Sequence, residues 1–123
     1  MKFLSELDVR LVDGAEQWVL LSPLIYRSKY SNDLIIVPKG FKTDFASVPR
    51  LPVIYSLAGD RAHAPAVVHD FCYRYKLFKR ELCDKIFLEA MEDIKLNFFI
   101  REMMYLGVRL GGGFNYDNKT EYH

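Results

Sequence analysis

The hydrophobic period of this chain changes once, near residue 63, and that change constrains its fold more than any single motif. Before it, apolar residues alternate with polar ones. Leu7, Val9 and Leu11 are separated by Asp8 and Arg10, the period-two pattern of a half-buried strand. Trp18 to Leu21 predicts a second strand, Leu24 to Lys29 a third, and Leu34 to Val37 a β-branched fourth. Asp13-Gly14, Ser31-Asn32-Asp33 and Pro38-Lys39-Gly40 supply the turns. After residue 63 apolar residues recur at three and four. Val67, Val68, Phe71, Cys72 and Tyr75 share one helical face, and Leu82, Cys83, Ile86, Phe87, Ala90 and Met91 share another.

The expected class is therefore α+β: a small N-terminal antiparallel β meander, a helical hairpin, then a third apolar helix. With 123 residues there is room for a single domain. The expected division is one domain over 1–113, with the β part about 1–42, a loop over 43–62 and helices about 63–111. Gly111-Gly112-Gly113 predicts the end of the last helix, leaving 114–123 as a flexible tail.

Two regions lack an ordinary core pattern. The stretch from Gly40 to Pro52 has neither helical nor strand period and carries Pro49 and Pro52. It reads as a rigid crossover or as a loop lining a site, with Thr43, Asp44 and Ser47 able to bond nearby backbone. The predicted helix over 94–110 is apolar almost all round, broken by Lys95, Arg101, Glu102 and Arg109. A helix of that kind is buried, lies against lipid, or contacts a partner such as a second copy, a virion protein or a host protein.

Charge excludes one function class. Seventeen basic and 16 acidic side chains give a net charge of +1, without a basic stripe, so no nucleic-acid partner is expected. The N-terminus lacks the long apolar core and cleavage site of a secretory signal. No uncharged run reaches the ~18 residues a spanning helix needs. The expected location is a host cytoplasm or a virion, where the two cysteines would be free thiols.

The densest chemistry is His69-Asp70-Phe71-Cys72-Tyr73-Arg74, followed by Arg80 and by Cys83-Asp84. On a helix His69 and Tyr73 share a face, and an antiparallel hairpin brings Asp84 opposite them. A carboxylate beside an imidazole fixes its tautomer, and a second carboxylate could hold a divalent cation; together these can activate water. The same side chains can equally form a buried polar network that ties two helices together. A phosphohydrolase signature would also need His63, which lies six residues before His69 and so on a different side of the helix.

His-Asp-x-Cys-Tyr followed by Cys-Asp resembles the active-site helices of secreted phospholipases A2, over roughly residues 66–91. The resemblance implies His69 as the base that activates water, Asp84 as its orienting carboxylate and Tyr73 as that carboxylate's partner. It implies Asp70 as a Ca²⁺ ligand and Cys72 with Cys83 as a disulfide. The family's glycine-rich calcium loop is not present, so the loop holding Asp44 would have to replace it.

A second pattern covers more of the chain. Gly40-Phe41-Lys42-Thr43-Asp44-Phe45-Ala46-Ser47-Val48-Pro49-Arg50, then His69-Asp70, Arg80 and Asp84, is similar to a domain-of-unknown-function family common in tailed phages and prophages. Cys83 stands where that pattern has Ala. This resemblance implies a phage or prophage origin and one shared site for Asp44, Ser47, Arg50, His69, Asp70 and Asp84. The phospholipase resemblance implies a hydrolase of lipid or other esters, and the second implies no reaction; the alternative is a non-catalytic virion, assembly or host-interaction protein.

Overall fold

A computed structural model describes residues 2–12, 17–44 and 62–118, with side chains described up to 111. Six short strands precede three helices among these residues, in the predicted α+β order. The strands are β1 (Lys2–Phe3), β2 (Val9–Leu11), β3 (Trp18–Leu20), β4 (Leu24–Arg27), β5 (Ile35–Val37) and β6 (Lys42–Thr43). The helices are α1 (His63–Arg74), α2 (Arg80–Asp93) and α3 (Phe98–Asn118).

The strands form two antiparallel three-stranded sheets, not one meander. One has the order β1-β4-β5 and the other β2-β3-β6. The consecutive hairpins β2–β3 and β4–β5 are those that alternation and turn residues predict. The outer strands β1 and β6 are two residues long, too short for any period. Only pairing defines them: Phe3 opposite Tyr26, and Thr43 opposite Trp18.

The inward faces follow the period of two. Leu24 and Tyr26 of β4 are buried, as are Ile35 and Val37 of β5, while Ile36 between them is exposed. α1 lays Ala66, Val67 and Val68 on β4 and β5. α2 is the central helix, packed against both α1 and α3. Its fully buried Ile86, Phe87, Ala90 and Met91 repeat at helical spacing. Full burial of a side chain of the size of Ile86, Phe87 or Met91 contributes about 1.5–3 kcal/mol.

Helix ends have local causes. α1 and α2 are each closed by a lysine two residues past the last helical residue, Lys76 and Lys95, both with positive φ (47° and 58°). In each case the next amide reaches back to a carbonyl in the last turn, Leu77 N–H to Cys72 O and Leu96 N–H to Met91 O. α3 begins four residues later than its apolar pattern predicts, because Asn97 caps it: Oδ1 accepts the amides of Phe99 (2.8 Å) and Ile100 (3.3 Å).

α3 also ends later than predicted, continuing through the glycine run to Asn118. Glycine stops a helix efficiently when it adopts the left-handed conformation. Among the described residues only Gly40 does so, at φ 89°.

The apolar pattern of α3 divides into two stripes. Ile100, Met104 and Val108 face the core. Phe99, Met103, Leu106 and Leu110 face outward, Leu110 with 80% of its surface exposed. No helix among the described residues is long and apolar enough to cross a membrane. The turn predicted at Asp13-Gly14 and the loop carrying Ser47 and Arg50 lie outside the described residues.

Candidate functional site

α1 and α2 run side by side, which brings His69, Tyr73 and Asp84 together. His69 and Tyr73 occupy one face of α1, a turn apart, and Asp84 meets them from the first turns of α2. His69 Nε2 lies 2.7 Å from Asp84 Oδ1. The Tyr73 hydroxyl donates to the same oxygen at 2.5 Å. The other oxygen, Oδ2, accepts Arg109 Nη1 of α3 at 2.7 Å. One carboxylate therefore joins three helices.

Asp84 is fully buried. Burial alone would raise its pKa, but the donors from His69, Tyr73 and Arg109 outweigh it and the net direction is down. The carboxylate is charged and can only accept, so His69 Nε2 must be the nitrogen that carries the proton. In the neutral imidazole the lone pair is then on Nδ1. The ring is fixed from both sides, 4.1 Å from the Tyr73 ring and 4.7 Å from the Phe87 ring, and His69 keeps only 2% of its surface. Burial, then the hydrogen bond to Asp84, pushes the Tyr73 phenol up; Arg80, also in contact with it, acts in the opposite sense.

Arg80 bridges as well. Its Nη2 donates to the carbonyls of Val108 (3.0 Å) and Arg109 on α3. The first turn of α2 thus holds α3 by its backbone, while α3 returns Arg109 to Asp84. Sequence reasoning placed Arg80 in the site and missed Arg109. The available signal was a guanidinium at the centre of an otherwise apolar helix, which is costly there unless it has a buried partner.

Asp70 does not join this group. Consecutive helical residues leave the axis about 100° apart, so Asp70 faces away from Asp84. Its Oδ2 lies 3.3 Å from Arg74 Nη2, one turn along α1. Arg74 in turn donates to Lys42 O at 2.5 Å and stacks 4.9 Å from the Phe41 ring centre, tying α1 to the start of β6. Thr43, buried in β6, and Asp44, just after it, stand at that same edge. Ser47 and Arg50 lie outside the described residues, so the predicted single cluster of all six residues is seen here only in part.

The two residues expected to hold a divalent cation, Asp70 and Asp44, both lie among the described residues. The Asp70 carboxylate already faces a guanidinium, a cation of the chain's own. Among the described residues no three His, Cys, Asp or Glu side chains converge as metal ligands. Nor is the implied disulfide formed: Cys72 and Cys83 are both buried free thiols. They are in hydrogen-bonding contact, which together with burial pushes the Cys72 thiol up and keeps it protonated.

A second polar cluster, which the sequence did not announce, lies on the opposite side of α2. Tyr26 of β4 is buried with its hydroxyl between Glu89 Oε1 (2.8 Å) and Asp93 Oδ2 (2.7 Å), and Glu89 Oε2 accepts the amide of Lys29 (3.1 Å).

No curated protein and no solved structure matches this chain. Residues 18–108 do match the sequence profile of a family described as a protein of unknown function. That span takes in the described site from Thr43 and Asp44 at the sheet edge to Val108, one residue short of Arg109, and the chain belongs to this family, DUF1353.

Proposed function

We propose that this protein is a hydrolase of lipid or other esters in which His69 is the general base. One observation carries the reading: an ionised Asp84 2.7 Å from His69 Nε2. That contact assigns the proton to Nε2 and the lone pair to Nδ1. In the reaction, Nδ1 takes a proton from water as the water oxygen bonds to the ester carbonyl. Asp84 stabilises the imidazolium that results. The proton then passes to the departing alkoxide as the carbon–oxygen bond breaks. Tyr73 and Arg109 hold Asp84 in place and do not touch substrate. A positioned base of this kind contributes about 10²–10⁴-fold in rate. The phospholipase A2 resemblance gives His69, Asp84 and Tyr73 the same three roles. The motif resemblance across most of residues 40–112 supports a phage or prophage origin.

The burial of His69 favours a second reading, in which the network is structural and the protein is a non-catalytic virion, assembly or host-interaction component. One experiment separates them. The purified chain is assayed on phospholipid vesicles and on a soluble short-chain ester, each with Ca²⁺ and with a chelator. Turnover that falls at least about 100-fold in a folded His69→Asn variant supports the hydrolase. A folded wild-type chain that turns over nothing in any arm rejects it and leaves the structural role.

A further inference from the structure

The Tyr26 cluster poses a proton-counting problem. A phenol has one hydrogen, yet the Tyr26 oxygen lies 2.8 Å from one carboxyl oxygen and 2.7 Å from another. Both are ordinary lengths for a full O–H···O bond. One phenolic hydrogen cannot make both, and two charged carboxylates offer none. Glu89 and Asp93 are also one turn apart on α2, where like charges repel. A second proton must be present.

We propose that Asp93 carries that proton in the folded protein and donates it to the Tyr26 oxygen, while Tyr26 donates onward to Glu89. The choice between the carboxyls follows from their partners. Glu89 accepts twice, from Tyr26 on Oε1 and from the Lys29 amide on Oε2. Asp93 has the Tyr26 contact and is half-buried. The result is a directed chain, Asp93 to Tyr26 to Glu89, clamping β4 to the last turns of α2. It is a latch that depends on a proton.

The surroundings bear on Asp93 in both senses. From α2, Glu89 and the exposed Glu92 raise its pKa; burial is the largest contribution and acts the same way. A hydrogen bond donated by Tyr26 to the ionised form acts the other way, and the net direction is up. From β1 the Phe3 ring covers Tyr26 at 4.7 Å, and from the turn after β4 the Lys29 amide reaches Glu89. Burial and the two carboxylates also push the Tyr26 phenol up, so it remains a donor. A group whose pKa is raised by folding contributes stability below its ordinary value and loses it as pH rises through the folded value. The latch is therefore closed in mild acid and weakens toward alkaline pH. Its loosening frees the end of α2, from which the short link to α3 departs.

Two measurements test this on the full chain. In the wild type, the ¹³C shift of the Asp93 side-chain carboxyl is followed from about pH 3 to about pH 9, a range that brackets ordinary carboxylates. Titration above the ordinary aspartate value is expected; titration at or below that value overturns the proposal. In Asp93→Asn, the amide can donate to Tyr26 permanently. The melting temperature of the wild type should fall relative to this variant as pH rises through the Asp93 midpoint. Parallel curves across the whole range also overturn it. The carboxyl titration needs no variant, so the proposal remains open to refutation if Asp93→Asn fails to fold.

Discussion

At the scale of single residues, Asp84 governs the site. It sits under three donors from two other helices, so its effect on stability has a definite pH sense. Its folded pKa is depressed. The stability it contributes is present above the ordinary carboxylate value and lost as pH falls through the folded value, the reverse of Asp93. Wild type should therefore show an acid limb below about pH 4, and Asp84→Asn should flatten it. Denaturant titration across that range is the check. Asp84→Ala strands Arg109, Tyr73 and His69 together, and a loss of about 3–5 kcal/mol is expected from breaking a buried pair. Arg109→Gln should cost less. Arg109 keeps 28% of its side-chain surface, so water can partly replace it at Asp84 Oδ2.

At the scale of elements, α3 is helical against parts of its own sequence. Gly107 is a helix-interior glycine with ordinary φ, and a Cβ there would meet nothing within 4 Å. Gly107→Ala should stabilise the protein by about 0.5–1 kcal/mol, read as a rise in melting temperature without change in the fold. Asn97→Ala should do the opposite by about 1 kcal/mol, since two amides lose their acceptor. Together the pair tests whether α3 is limited by its interior or by its start. Neither substitution touches Asp84, so neither should shift the acid limb.

At the scale of the whole molecule, α2 is the hub. One side of it presents Asp84 to α1 and α3, and the other presents Glu89 and Asp93 to β4, with Ile86 and Phe87 in the core between. Phe87→Ala should cost about 3–5 kcal/mol and loosen the His69 ring it covers. Leu110→Lys on the outer stripe of α3 should change stability by no more than about 0.5 kcal/mol, because that residue is 80% exposed. Chemical denaturation of the two variants side by side distinguishes core from outer stripe.

The sequence by itself determined the fold class, the two central hairpins, the three helices and the His69–Tyr73–Asp84 group. These rest on short-range periodicity: alternation in strands, three-and-four spacing in helices, and a tight turn that forces α1 and α2 together. What only the tertiary structure decided was everything resting on long-range pairing. The two-residue strands β1 and β6 have no period of their own, and their partners split one expected meander into two sheets. Arg109 lies 25 residues from Asp84, and Tyr26 lies 63 from Glu89, separations at which no sequence pattern reports a contact. Asp70 shares a motif with His69 yet belongs to Arg74, because one residue along a helix is a turn of about 100°. The motif brought the reactive groups into the same stretch of chain. The packing of three helices on two sheets decided which of them share a carboxylate.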